Sequence, residues 1–451
     1  MTHIPLAATI SLSEHDLTRF FVAVVALMAC AHLMGSLFGR LKMPRVIGEI
    51  AGGLLLGPTV LGAISPSAQA WVFDAFPEEG KLLAMVSSFG VVLLMFFSGM
   101  ETRARFARED RKVAIPVLIG ATALPFAAGL AVPLLFDFSS YMGPRGNDAS
   151  LVIVIGIAVA ITSIPVISKI FIDLGIMHTR FARIVLTVAT VEDIALWGLV
   201  GVATALAESE SPSVTELVLT PVITVAFFAL AMWSLPRLLQ AALRSPARGM
   251  VEHRPARFAL LACFSMVALA SLAGVNLIFG ALLAGMAICK LPEPIVETIR
   301  TKVKAFALVF FTPVYFAIVG LKLDLARQFD PAFFFGFLAF CTVMKTIGTF
   351  AAGWYATRDR RSTINLAAAL NARGGPGIVL ATVAFDAQII DERFFVTLVL
   401  VAVITSLAAG TWFRYVLARG WELLVVRGEA PAPAEVPAPA TNGRVKEQVP
   451  S

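Results

Sequence analysis

Apolar stretches of about 20 residues recur from one end of the chain to the other, each long enough to cross a hydrocarbon core of ~30 Å. Such a core holds no water to pair with exposed N–H and C=O groups, so the crossing segments are expected to be helices, which satisfy their own backbone. The composition agrees. Of 451 residues, 58% are hydrophobic and 15% charged, with a mean hydropathy of +0.84; soluble domains are nearer about a quarter charged. The chain is read as an all-α polytopic membrane protein whose first partner is the lipid bilayer.

About thirteen spans are predicted. They lie at residues 17–39, 44–61, 82–100, 113–136, 151–172, 181–207, 214–239, 257–273, 277–289, 303–321, 332–355, 363–386 and 394–417. Cations collect in alternate loops: Arg40, Lys42 and Arg45; Arg103, Arg105, Arg108, Arg111 and Lys112; Arg180 and Arg183; Arg244, Arg248, Arg254 and Arg257; Lys290, Arg300, Lys302 and Lys304; Arg358, Arg360 and Arg361. The other loops carry acids such as Asp74, Glu78, Glu79, Glu208 and Glu210. By the positive-inside rule the basic loops face the cytoplasm, which puts the N-terminus outside and the C-terminus inside a plasma (inner) membrane. This asymmetry, not affinity for nucleic acid, accounts for the formal net charge of +6. The cysteines, Cys30, Cys263, Cys289 and Cys341, stand singly in apolar stretches and form no CxxC pair, so neither a zinc site nor a disulfide framework is indicated. The N-terminal residues lack the basic region and cleavage site of a signal peptide.

The sequence also repeats. "IGEIAGGLLLG" opens the second span and "FGALLAGMAI" fills the ninth, with Gly48 and Gly53 spaced as Gly280 and Gly285 are. The third span ends "FSGME" and the tenth ends "IVGLK". The offset is an odd number of spans, so the copies face opposite ways, as in the inverted-topology repeats of secondary transporters. The expected organisation is an extracytoplasmic segment (1–16), a first repeat (17–207), a linker span and cytoplasmic loop (208–256), a second repeat (257–420) and a Pro/Ala-rich disordered tail (421–451).

Within each repeat one span is interrupted. The fifth reads "VAITSIPVISK", where Pro165 removes a donor and frees a carbonyl near Ile161, with the hydroxyls of Thr162 and Ser163 alongside. The twelfth reads "LNARGGPGIVL", where Gly374, Gly375, Pro376 and Gly377 are expected to break the helix. The two spans are counterparts under the repeat.

The sixth span contains Glu192 and Asp193 inside "LTVATVEDIALWGLV". A carboxylate at a bilayer centre costs roughly 2.5–3.5 kcal/mol on insertion scales, so such residues mark function. Adjacent helical residues point about 100° apart and can face different partners. Lys345, inside the eleventh span, needs a counter-ion. One acid can neutralise it and the other can hold a cation. A carboxylate, Thr162 or Ser163 and freed carbonyls are oxygen ligands suited to hard cations such as Na+ and K+. Arg373 adds a further intramembrane charge, and together Lys345 and Arg373 leave proton-coupled export of an organic ion open. Glu49 and Glu101 lie near cytoplasmic span ends, placed to line an inner funnel or to pair with Arg45 and Arg103. An intramembrane aspartyl protease needs two Asp on separate helices about 3 Å apart, which Glu192–Asp193 on one helix cannot form. A transporter, rather than an enzyme or a transport-dead sensor, is expected.

In the order of its motifs the chain resembles the monovalent cation:proton antiporter superfamily, in the bacterial sodium/proton exchanger branch with paired acidic residues, related to potassium-efflux antiporters. The resemblance rests on "PRVIGEIAGGLLLGP", "FFSGME", "TSIP", the acidic pair, "FGALLAGMAI", "FFTPVYFAIVGL", the eleventh-span lysine and "ARGGPG", spread over residues 17–417. It implies a homodimer and a core domain in which spans five and twelve cross as broken helices. It also implies exchange of Na+, with Li+ or K+ as alternatives, for H+ without a cofactor, in pH homeostasis. Carried over, Asp193 is the ion- and proton-binding carboxylate and so the one site for a monovalent metal cation. Glu192 holds the first position of the pair, Lys345 is its partner, and Arg373 is the arginine of the twelfth-span motif. Glu192 departs from the Asp, Asn or Gln usual at that position. It keeps the charge of the electrogenic branch with a longer reach, and electrogenic exchange is the expectation. No GxGxxG opening a βαβ unit is present, so no nucleotide-binding domain is expected.

Overall fold

The computed structural model describes residues 12–41, 43–101, 108–207, 214–244 and 248–426. Lys42, Arg103, Arg105, Glu208, Glu210, the first eleven residues and the tail from residue 427 lie outside the described residues. Among the described residues no strand occurs; every regular element is helical. The principal helices are α1 (Glu14–Arg40), α2 (Arg45–Leu56), α3 (Glu79–Glu101), α4 (Arg111–Ala131), α5 (Asp148–Ala160), α6 (Ile164–Asp173), α7 (Arg180–Leu206) and α8 (Val214–Arg244). They continue with α9 (Pro255–Leu272), α10 (Leu277–Ile288), α11 (Thr312–Leu321), α12 (Pro331–Thr357), α13 (Arg360–Leu370), α14 (Gly374–Asp386) and α15 (Glu392–Ala418). Among the described residues 11 helical segments are long and apolar enough to cross a membrane. Two shorter apolar helices, Leu277–Ile288 and Val309–Leu321, fall on the ninth and tenth predicted stretches.

Packing divides the helices into two bodies. In the first, α1 packs on α2, α9 on α10, α2 on α11 and α10 on α3. In the second, α4 packs on α5, α7 and α12, α12 on α13, and α14 on α15. The long helix α8 touches both, through α7 and α10. Exchanging the halves of the chain maps these contacts onto one another: α2 on α11 becomes α10 on α3, and α4 on α12 maps onto itself.

Small residues set these approaches, as in membrane bundles, where lipid tails are as apolar as leucine and helices associate by close packing. A Cβ added to Gly53 of α2 would lie 1.8 Å from the Ala317 carbonyl oxygen of α11, and one on Gly285 of α10 would lie 2.0 Å from the Phe96 carbonyl oxygen of α3. Between α4 and α12 the contact is reciprocal: a Cβ added to Gly120 would lie 2.4 Å from the Gly348 carbonyl oxygen, and one added to Gly348 would lie 2.1 Å from the Gly120 carbonyl oxygen.

At the end bearing the basic loops, Asp110, just before α4, receives the Arg180 Nε at 3.0 Å and the Arg183 Nε at 2.5 Å from the first turn of α7. Burial alone would raise this carboxyl, but the hydrogen bonds from Arg183 and Arg180 outweigh it and hold it below its ordinary value. Residues 421–426, expected to begin a disordered tail, instead fold back on α13. The Val425 amide donates to Ser362 Oγ (2.7 Å) and Asn365 Nδ2 donates to the Leu423 carbonyl (3.1 Å). Leu423, Leu424 and Val426 pack on the apolar cluster under α13. The reason lies in "WELLVV", whose apolar side chains the Pro/Ala-rich stretch after it lacks.

The reciprocal glycine contact yields a prediction. Gly348→Ala should lower the Tm of the purified protein, since overpacking against backbone costs about 1–3 kcal/mol. Gly336→Ala on the same helix, where an added Cβ meets nothing within 4 Å, should leave Tm unchanged or slightly higher. Equal effects of the two substitutions would contradict the packing described.

Candidate functional site

The interruption in the fifth predicted span occupies residues 161–163, between α5 and α6, and that in the twelfth occupies 371–373, between α13 and α14. The breaks join each other. The Ser163 amide donates to the Ala372 carbonyl (2.6 Å), and Thr162 Oγ1 donates to the Leu370 carbonyl (2.7 Å). The fifth-span gap begins at Ile161, where the sequence places the freed carbonyl, but the prolines and glycines themselves follow the gaps rather than lie in them. Pro165 lies in the first turn of α6, and Gly374, Gly375, Pro376 and Gly377 form the first turn of α14. The first N–H groups of a helix have no intrahelical acceptor, so proline fits there without loss. Gly374 has φ +39°, and a Cβ on it would lie 2.6 Å from Ser163 Oγ, so the crossing itself selects glycine.

Each helix end at the crossing is capped. For α14, the Arg373 amide reaches Thr405 Oγ1 (3.4 Å) and the Gly374 amide reaches Ser406 Oγ (3.0 Å), both on α15. For α6, Ser163 Oγ accepts from the Val166 amide (3.3 Å). The C-terminal end of α5 is capped by cations. Arg373, buried, donates from Nε to the Ala158 carbonyl (3.2 Å) and from Nη2 to the Val159 carbonyl (3.1 Å). It also reaches the Cys341 and Asn371 carbonyls, at 3.0 and 3.1 Å. Lys345 donates to the Ala160 carbonyl. Positive charge at a helix C-terminus opposes the partial negative charge of unpaired carbonyls. The carbonyls of residues 158–160, next to the one near Ile161 that the sequence marks as freed, are thus engaged by Arg373 and Lys345.

Glu192 and Asp193 lie on α7, both with 0% exposure. They face different surroundings, as their angular separation requires. Glu192 Oε1 receives Lys345 Nζ at 2.7 Å, and its Oε2 receives Thr122 Oγ1 of α4 at 3.4 Å. The Thr162 hydroxyl lies beside the same carboxylate. The two oxygens of Asp193 are buried and have no hydrogen-bond partner among the described residues. Thr162 and Ser163 therefore make no hydrogen bond to Asp193; they tie the two breaks together. A buried carboxylate without a donor is strongly disfavoured as a bare anion. It needs a proton or a cation.

Thr122 has no signal in the sequence beyond its place one turn before Pro125; only the packing of α4 against α7 brings it to Glu192. Two cavities separate the bodies. One, of 850 Å3, is lined by Arg40 and Arg45 of the first body and by Lys169, Asp173 and Arg414 of the second. The other, of 340 Å3 and at the opposite end, is lined by Ser87, Asn276 and Tyr315 and by Thr204, Thr382 and Asp386. Glu49 sits on α2 with a buried Oε2 that has no hydrogen-bond partner among the described residues, and Arg45 rather than Glu49 lines the larger cavity. Glu101 ends α3 and is partly exposed.

Comparison with known proteins agrees with this fold. The family described as "Sodium/hydrogen exchanger, transmembrane" matches residues 24–419. The Na(+)/H(+) antiporter NhaS4 of Synechocystis sp. is 26% identical over 404 residues, covering 88% of this chain and 96% of that protein. The Na(+)/H(+)-K(+) antiporter GerN of Bacillus cereus is 27% identical over 399 residues, with 88% and 96% coverage. The K(+)/H(+) antiporter 1 of Saccharomyces cerevisiae is 28% identical over 407 residues, but this chain spans only 46% of its length. The solved structure of the sodium proton antiporter MjNhaP1 from Methanocaldococcus jannaschii has the same fold, with a TM-score of 0.61 at 12% identity over 89% of this chain and 99% of that one. With the family match running almost from end to end, this chain belongs to the sodium/hydrogen exchanger family, whose members are membrane antiporters of cations and protons.

Proposed function

We propose that this protein exchanges Na+, with Li+ or K+ as alternatives, for protons at Asp193 by alternating access, as a homodimer in the plasma membrane. The N-terminus would be outside and the C-terminus cytoplasmic. The observation that carries the reading is the Asp193 carboxylate, buried beside the crossing with both oxygens lacking a donor. Proton and cation compete for it, since either neutralises it. The relatives' names include Na(+)/H(+), Na(+)/H(+)-K(+) and K(+)/H(+) exchange, and the first two, which match nearly end to end, favour Na+ as the principal ion. The division into two bodies, with partners that exchange between the halves of the chain, supports inverted repeats at 17–207 and 257–420 and movement of the second body against the first. Arg373 and Lys345 are both engaged by protein acceptors, so export of an organic anion loses the free cation it would need.

Charge balance then bears on stoichiometry. Apart from Arg373, whose constant charge is held by backbone carbonyls, two carboxylates against the Lys345 ammonium leave one negative charge, and one bound cation makes that group neutral. A neutral group crosses a low-dielectric barrier far more readily than a charged one. If Lys345 keeps its proton, one proton on Asp193 replaces one cation and no net charge moves. If the Glu192–Lys345 pair opens and Lys345 also cycles a proton, exchange carries current. We infer the electrogenic mode, because Glu192 keeps the site doubly acidic.

Asp193→Asn should reduce exchange in sealed proteoliposomes under an imposed pH gradient to the level of empty vesicles. Its Tm should match or exceed the wild type, because a buried bare carboxylate is removed. Full exchange by this variant would overturn the assignment. Glu192→Gln should lower the current on a solid-supported membrane while leaving part of the exchange reported by a pH dye. Robust wild-type exchange without current would overturn the electrogenic mode.

A further inference from the structure

Alternating access requires contacts between the two bodies to break at one side of the membrane as they form at the other. At the end opposite the basic loops, three polar pairs bridge the bodies. Lys322, directly after α11, pairs with Asp386, the last residue of α14, with Nζ to Oδ1 at 2.6 Å. The same ammonium lies 5.8 Å from the centre of the Phe385 ring. Tyr315 of α11 donates to Thr382 Oγ1 of α14 (3.3 Å), and Asn276 Nδ2, at the start of α10, donates to Thr204 Oγ1 of α7 (3.2 Å). In every pair one residue belongs to the first body and the other to the second. Five of these six residues line the 340 Å3 cavity. The cavity between the bodies at the opposite end is larger, 850 Å3.

We propose that Lys322 and Asp386 form a latch that holds the extracytoplasmic mouth between the two bodies closed, and that its opening admits the cation to the hydroxyl-lined cavity beneath. This rests on the exchange reading and on an extracytoplasmic N-terminus. Of the three pairs, only Lys322–Asp386 carries full charges and lies near the surface, with side-chain exposures of 27% and 52%. That position fits the task. A transporter must pass between its two states rapidly, so the latch must be weak, and an exposed ion pair shifts a two-state population by roughly two- to five-fold. The buried Tyr315–Thr382 hydroxyl pair and the half-buried Asn276–Thr204 pair close the cavity beside the latch without adding charge.

The latch can be read without transport. Ser87 is buried and lines the cavity. With the four native cysteines replaced by alanine, a Ser87→Cys reporter should react slowly with a membrane-impermeant maleimide added to the outside of right-side-out vesicles. Lys322→Gln and Asp386→Asn should each raise that rate roughly two- to five-fold. The exchanged pair, Lys322→Asp with Asp386→Lys, should return it to the starting value. In the chain with its cysteines intact, the same single variants should lower the apparent KM for cation presented outside and raise it for cation presented inside by a similar factor, because apparent affinity scales with the fraction of the competent state. Unchanged labelling in the single variants, a rise that the exchanged pair does not reverse, or labelling only from the inner face would overturn the latch. Labelling as expected in a protein that exchanges no cation would support the latch and overturn the exchange reading instead.

Discussion

An ammonium buried in a membrane must be surrounded by acceptors, and Lys345 is the group around which this site is assembled. It holds the last carbonyl of α5 and the carboxylate of Glu192 at once. The α5 carbonyl it takes exists only because the fifth span is broken. The carboxylate it takes leaves Asp193 as the one member of the acidic pair without a partner. Arg373 completes the cap on the same helix end, so no fixed cation competes for Asp193. Reactivity in this site is thus produced by subtraction: each charge except one is engaged by the fold, and the remaining carboxylate is left to a proton or a cation.

The distances on which this depends are set by glycine. Gly120 and Gly348 let α4 and α12 touch backbone to backbone, and from that contact Thr122 and Lys345 reach the two oxygens of one carboxylate. Gly374 lets the second break lie directly on Ser163. The first body uses the same device at Gly53 and Gly285, there to join apolar helices, consistent with a scaffold against which the site-bearing body moves.

Much of this is legible in the sequence, because bilayer thickness and the cost of burying charge act residue by residue. The apolar stretches, the acidic pair, the eleventh-span lysine and the two interrupted spans can each be read from local pattern. The exact position of each break cannot. Proline and glycine mark the start of a helix as readily as its interruption, and only the tertiary bonds from Ser163 to Ala372 and from Thr162 to Leu370 place the gap before Pro165 and before Gly374. Thr122 is invisible because a lone threonine on a span carries no signal until a crossing helix brings it to Glu192. The segment 421–426 reads as disordered because the composition of the long tail hides six apolar-rich residues that have a surface to cover.

The central claim, that proton and cation compete for the Asp193 carboxylate, is tested most directly by proton release from the purified protein. In weakly buffered detergent solution, addition of NaCl to protein equilibrated where the carboxyl is protonated should release at least one proton per cation bound, that of Asp193, and a second where Lys345 also cycles its proton. Choline chloride should release none, and Asp193→Asn should release none with any salt. A wild-type protein that binds Na+ without proton release, or a variant that releases as many protons as the wild type, would contradict the account.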